Sequence, residues 1–479
     1  MADIQGASRA ERAAEGRARR KDVPRGSHAE WTPPPGRRPV AELLADQERT
    51  RVPDLVPLRH ERMSASPFAF YRGAAAVQAA DLAGEPRTGL DVQLCGDAHL
   101  ANLGGYASPD RQLVFDINDF DETLPGPFEW DVKRLAASFE VAGRSNGFDE
   151  RTRSSVVETL VRTYAGALGD FSEMGGLELW YSRLTDQDVA ERWGGDASER
   201  QVARFRKNVT KARSKDNVKA LGRLTEDVDG ELRFRTDPPV LVPIVDLFGE
   251  DEVSDLRHMI GHALTAYQRT LQPDRRHLLQ RYRFVDLARK VVGVGSVGTR
   301  CWVALMVGTD PGDALFLQIK EAEASVLEAH LGRSGYEQHG QRVVEGQRLV
   351  QPSSDIFLGW ERVAGVDGRD HDYYVRQLWD WKFSPAIDSM DAEVLDVYAQ
   401  ICGTILARAH ARTGDAIAIS SYVGKGGPFA RAMAEFAHSY ADQNERDHAD
   451  FVQAVSVAAG ATADASGATA DGAAPLAAG

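Results

Sequence analysis

Gly96-Asp97-Ala98-His99-Leu100-Ala101-Asn102, followed by Phe115-Asp116-Ile117-Asn118-Asp119-Phe120-Asp121-Glu122, concentrates acids and amides on loops at strand ends. Leu90 to Leu94 before this stretch is a short apolar strand candidate, and Leu113-Val114-Phe115 is another. The turn signal Ser108-Pro109-Asp110 predicts a hairpin between them. Polar groups on such loops can converge on a ligand. Phosphoryl transfer needs a carboxylate to accept a hydroxyl proton, with an amide oxygen and a second carboxylate on Mg²⁺, all held with little freedom. Asp97, Asn102 and Asp119 supply that set.

The interval from Asp97 to Asn102 has the D-x-x-x-x-N spacing of kinase catalytic loops. Together with Asp119-Phe120 and Gly126-Pro127-Phe128-Glu129-Trp130-Asp131, it resembles the signatures of aminoglycoside and choline phosphotransferases, which have the protein-kinase-like fold. Ser66-Pro67-Phe68-Ala69-Phe70-Tyr71-Arg72-Gly73 and Arg376-Gln377-Leu378 resemble the bacterial family called domain of unknown function 2252. That second resemblance covers most of the chain and brings no known substrate. The first implies an enzyme using ATP and Mg²⁺, in which Asp97 orients or deprotonates an acceptor hydroxyl and Asn102 and Asp119 hold metal. Asp116 and Asp121 are further acids beside them, Asp116 being a third candidate ligand. His99 is expected to hold the loop. Cys95-Gly96 stands where protein kinases have His-Arg, which favours the small-molecule branch. The same cleft could transfer AMP, or serve a nucleotide-sensing pseudokinase acting as an interaction module.

Val291-Val292-Gly293-Val294-Gly295-Ser296-Val297-Gly298-Thr299 contains G-x-G-x-x-G. With 44 glycines in 479 residues, that spacing arises by chance about once in three such chains, so context must give it meaning. A dinucleotide fingerprint opens a helix, whereas Cys301 to Val307 is strand-like, so a glycine hairpin over phosphates fits better. Leu315-Phe316-Leu317-Gln318-Ile319-Lys320 then ends a strand in a lysine, as in the kinase strand whose lysine meets the α- and β-phosphates. Its acidic partner is expected to be Glu345 on the helix Gln341 to Val350, with Glu328 the second choice. Gly293, Gly295, Gly298, Lys320 and Glu345 thus form the expected nucleotide site, and Gln377 and Leu378 stand where a base contact is expected.

In ordinary kinases the glycine loop precedes the catalytic loop, while here it follows. A circular permutation resolves the order. It predicts that the helix Val394 to Arg412 ends beside Leu94 to Asp97, and that Lys320 faces Asp119 across a cleft. The expected fold is α+β: a two-lobed, protein-kinase-like architecture with circularly permuted lobe order and a large helical portion. Residues 1–40 read as a disordered basic arm, 41–283 as a helical lobe with the catalytic and metal loops, and 284–390 as a β-rich nucleotide lobe. Residues 391–455 complete the helical lobe, and 456–479 read as a disordered tail. Asp229-Gly230 marks a small hairpin within the helical stretch.

The charge sum is −14, which works against nucleic acid or an anionic membrane as partner. Three cysteines in separate regions, without zinc spacing, fit a reducing cytoplasm. No apolar run approaches the length needed to span a bilayer. Arg204, Arg206, Lys207, Lys211, Arg213, Lys215 and Lys219 crowd one probable helix, read as a solvated face or an acceptor site for an anionic substrate. The partners implied are a nucleotide and a small-molecule acceptor whose specificity is expected in residues 140–280.

Overall fold

The computed structural model describes residues 6–195, 199–214, 217–365, 368–378 and 380–470. Helices and strands mix in an α+β arrangement. Six antiparallel strands form the main sheet, in the spatial order Leu241–Pro243, Arg283–Lys290, Cys301–Val307, Ala314–Glu321, Asp370–Gln377 and Gly359–Ala364. The helix His339–Val350 lies between the strands Ala314–Glu321 and Gly359–Ala364 in the chain.

Strand alternation explains why this sheet is covered on both faces. Ala304, Met306, Leu315 and Leu317 point into a cluster with Val253, Leu256, Leu264 and Tyr267 of the helix Glu250–Gln268. Val303, Leu305, Val307 and Phe316 point the other way, onto Ala220, Leu224 and Phe234. A continuous apolar run is what a central strand with two buried faces requires.

These contacts correct the expected boundary of the helical lobe at residue 283. The hairpin Thr225–Val228 and Glu231–Phe234, turning at Asp229 and Gly230 with positive φ, the strand Leu241–Pro243 and the helix Glu250–Gln268 all pack with the sheet. Helical periodicity located the helix but carried no information about which lobe covers its apolar face.

The larger core is helical and includes Phe128–Ser145, Glu150–Glu173 and Ala392–Thr413. Ala392–Thr413 ends beside Asp91 to Gln93, in the strand that leads into the expected Leu94 to Asp97 stretch. Thr413 Oγ1 accepts from Gln93 N at 3.2 Å. A Cβ on Gly414 would fall 2.7 Å from Val92 Cγ1 and 2.8 Å from Asp91 O, so only glycine allows this approach.

Residues 6–40 of the expected disordered arm are instead folded, and residues 1–5 lie outside the described residues. Ser8 and Glu11 form a capping box for the helix Arg9–Asp22. Arg12 meets Asp415 through two bonds of 2.8 and 2.7 Å. Trp31 packs on Tyr440 with ring centroids 4.8 Å apart. The arm read as disordered because Asp415 and Asp447, which Arg12 and Arg37 bind, lie 403 and 410 residues later in the chain. At the other end the helix Gly427–Ala470 runs into the expected disordered tail, and residues 471–479 lie outside the described residues. Cys95, Cys301 and Cys402 are buried free thiols. No helix among the described residues is long and apolar enough to cross a membrane.

Candidate functional site

The strand Asp91–Leu94 delivers the loop Cys95 to Asn102, and the helix Phe128–Ser145 holds it in place. Asp131, in the first turn of that helix, accepts from Cys95 N at 2.7 Å and Gly96 N at 3.0 Å. Gly96 adopts φ +84°, and a Cβ there would sit 2.2 Å from Glu122 O, so the turn needs glycine. One turn further along the helix, Arg134 binds Asp97 Oδ1 through Nε at 2.9 Å and Nη2 at 2.8 Å. Asp97 Oδ2 lies 3.7 Å from His99 Nε2. Burial raises the Asp97 carboxyl above its ordinary range, against the lowering effect of Arg134. That is the direction a proton acceptor needs.

Asn102 Nδ2 donates to Asp97 O at 2.8 Å, which leaves its side-chain oxygen for another ligand. Asn118 N donates to Asn102 O at 2.8 Å, fastening the second loop to the first. Asp119 is reached through the hairpin Leu103–Ala107 and Leu113–Ile117. Its side chain is 32 % exposed, and burial followed by the neighbouring Asp121 charge raises its carboxyl.

Lys320 is 2 % exposed, with Nζ 2.6 Å from Asp121 Oδ2 and 3.8 Å from Asp119 Oδ1. Tyr374 OH donates to the other Asp121 oxygen at 2.6 Å. Burial works to raise the Asp121 carboxyl, but Lys320 and Tyr374 outweigh it and hold it below the ordinary range. Lys320 thus faces Asp119 as expected, but not with its expected partner. Glu345 binds Arg348 at 3.1 Å. Glu328 Oε1 is 3.8 Å from Arg342 Nε. The helix His339–Val350 sends Arg342 toward the site instead, to Asp121 O, Thr123 O and Glu323 O, each at 2.8 Å. With a cation on the helix, the lysine takes its anion from the loop that carries Asp119 and Asp121.

Asp116 is also corrected. It is 1 % exposed and pairs with Arg408 at 2.5 Å, and it lines neither of the large cavities described below. Asp116 lies within the strand Leu113–Ile117, whereas Asn118 and Asp119 follow its end, a difference that composition alone did not reveal.

The loop joining Arg283–Lys290 to Cys301–Val307 carries Gly293 at φ +66° and Gly298 at φ +93°. It folds onto the acids, where Ser296 Oγ reaches Asp121 Oδ2 at 3.3 Å. The segment around residues 50–73 anchors it: Val52 N donates to Gly298 O at 2.8 Å, Arg62 to Gly293 O at 2.7 Å, and Arg51 to Val297 O. Gly295 lies against Arg72 O, 3.2 Å from where its Cβ would stand.

Two cavities meet at these loops. One, of about 960 Å³, includes Asp97, His99, Asp121 and Glu122 in its lining. The other, of about 770 Å³, includes Lys320, Gln318, Leu315, Gln377 and Leu378. Of the described residues within 140–280, expected to carry acceptor specificity, only Leu278 lines either cavity. The basic helix Glu199–Arg213 lines neither, and Lys215 of that cluster lies outside the described residues. Arg134, Arg342, Tyr374 and Arg72 were missed by sequence reasoning. Arg134 had a usable signal, standing one turn after Asp131 in a helix that opens with acids.

Among the described residues no three His, Cys, Asp or Glu side chains are grouped as a metal site. Mg²⁺ carried by a nucleotide asks for less: one or two protein oxygens, with phosphate and water completing its octahedron. The Asn102 side-chain oxygen and the Asp119 carboxylate fit that donor set.

A family model described as an uncharacterized protein conserved in bacteria, DUF2252, matches residues 51–454. The chain belongs to that family. No curated protein and no solved structure gives a significant match.

Proposed function

We propose that this member of the DUF2252 family is a Mg²⁺-dependent phosphotransferase that moves the γ-phosphoryl group of ATP to a small-molecule hydroxyl or amine. The observation that carries this reading is the convergence of Asp97, Asn102, Asp119 and Lys320, from two distant parts of the chain, around one glycine-rich loop. The order of glycine hairpin, lysine strand, helix and two further strands supports a kinase-like small lobe. The helix end beside Asp91 and Val92 supports the permuted connection. Cavity position alone would be weaker support, since folds host many chemistries.

Asn102 and Asp119 would hold Mg²⁺, which neutralises charge on the phosphates. Lys320 is placed to bind phosphate oxygens, with Asp121 and Tyr374 fixing its ammonium. Arg134 fixes Asp97 through one oxygen and leaves the other for the acceptor. The acceptor oxygen or nitrogen attacks the γ-phosphorus, the bond to the β–γ bridging oxygen breaks, ADP leaves, and Asp97 receives the acceptor's proton.

The test uses ATP labelled in the α- or γ-phosphate, incubated with Mg²⁺ and a panel of hydroxyl and amine acceptors. Transfer of the γ-label by the wild type, lost in Asp119→Ala, is the expected result. Transfer of the α-label would make the enzyme an AMP transferase.

A further inference from the structure

Asp97 lines only the larger cavity, and Lys320 lines only the smaller one. Five residues line both: Arg72, Asn102, Asp119, Gly293 and Ser296. They form the neck through which the two cavities meet. Two are the oxygen donors assigned to metal, and two belong to the glycine loop. The fifth is a guanidinium.

Arg72 sits at the end of the helix Pro67–Gly73, which Ser66 caps through its side chain. Tyr71, the preceding residue, is fully buried, with its carbonyl bound by Arg134 Nη2 at 2.7 Å and its hydroxyl donating to Arg134 O at 2.7 Å. The arginine that orients Asp97 therefore also fixes the backbone from which Arg72 extends. Among the described residues the Arg72 guanidinium makes no hydrogen bond or ion pair, and its Nε is buried without a partner. Its neighbour is the Phe68 ring, 6.0 Å from Cζ to centroid. The other arginines of this region are engaged: Arg134 with Asp97, Arg342 with three carbonyls, and Arg376 with Gln318 and Asn118 O.

The charges of Asp97 and Asp388 act on Arg72 from a distance, but neither bonds to it, and a half-buried guanidinium with no hydrogen-bond partner is costly unless a ligand supplies one. Its planar fork suits phosphate oxygens, and a neck lined by metal donors is where a phosphoryl group in transit would lie. We propose that Arg72 is a catalytic residue that binds the phosphoryl group during transfer, with nucleotide seated in the Lys320 cavity and acceptor entering through the Asp97 cavity. This rests on the phosphotransferase reading and extends it to the direction of substrate entry. The guanidinium meets charge that grows on the phosphoryl oxygens as the bond to ADP breaks, and gives it up when product leaves.

The test needs no acceptor. Mg-ADP binding is measured by calorimetry with and without aluminium fluoride, which takes the place of the transferring phosphoryl group. For wild type, fluoride is expected to tighten Mg-ADP binding by about tenfold or more. Arg72→Gln should bind Mg-ADP within about threefold of wild type and show no tightening, while Arg72→Lys should regain part of it. Thermal melts of each variant establish that it is folded. Tightening retained in Arg72→Gln, or absent from a wild type that binds Mg-ADP, would overturn the role of Arg72. A wild type that binds no Mg-ADP would instead overturn the phosphotransferase reading itself.

Discussion

Lys320 reaches Asp121 at 2.6 Å, across 199 residues of chain, and this ion pair joins the sheet to the acidic loop of the helical core. It also replaces the helix-borne glutamate expected from the kinase pattern. Lys320→Ala would leave Asp121 with only the hydroxyls of Tyr374 and Ser296 as side-chain donors and no counter-charge bonded to it, at a cost of about 2–4 kcal/mol. Glu345→Gln removes only a partly exposed pair with Arg348 and should change stability by less than about 0.5 kcal/mol. Urea melts of the two variants decide it. A larger loss for Glu345→Gln would restore the helix glutamate as partner.

Asp97→Asn keeps shape but removes the proposed proton acceptor. Mg-nucleotide affinity should stay within about threefold, while turnover falls by about 10²–10⁴. Intrinsic ATP hydrolysis beside binding calorimetry gives both quantities. Equal hydrolysis rates would remove Asp97 from proton transfer.

Glu122 lines the larger cavity, and burial raises its carboxyl to about 7, although Val326 N donates to it at 2.8 Å. The folded protein then holds this proton more tightly than the unfolded chain, whose carboxyl titrates near 4.5. Stability from this site is full at pH below the unfolded value and is lost as pH rises toward 7. With solvent at the partly exposed carboxylate, the loss is about 1–2 kcal/mol. Melting temperature followed from pH 5 to 8 should fall more for wild type than for Glu122→Gln. Parallel curves would place the Glu122 carboxyl in the ordinary range.

Arg37 binds Asp81 at 2.6 and 2.8 Å and Asp447 at 2.7 and 2.6 Å, with both acids nearly buried. Arg37→Ala strands two carboxylates and should cost about 3–5 kcal/mol. Arg9→Ala, at an exposed pair with Glu173, should cost less than about 1 kcal/mol. Equal melting temperatures for the two variants would mean that the N-terminal segment does not stabilise the fold.

The strands and the residues that converge at the cavities were legible because local signals decide them. Continuous apolar runs placed Cys301 to Val307 and Ala314 to Ile319, the Asp229-Gly230 turn placed its hairpin, and spacing singled out Asp97, Asn102 and Asp119. What stayed hidden depends on long-range pairing. Arg12 finds Asp415 and Arg37 finds Asp447 only after folding, so a basic arm looked unstructured. The same holds for Lys320, whose acid follows Asp119 by two residues rather than riding on the adjacent helix. Asp116 and Asp119 are three apart, but Asp116 lies in the strand Leu113–Ile117 with its buried ion pair, and Asp119 lies beyond the strand's end at the cavity wall.

The most direct measurement is calorimetric titration of the wild-type protein and Asp119→Ala with ATP, with and without Mg²⁺. Binding by the wild type that requires Mg²⁺, and is weakened at least about tenfold in a folded Asp119→Ala, is the predicted result. A folded wild type that binds no ATP, or an Asp119→Ala that binds Mg-ATP as tightly, would contradict the assignment of this cleft.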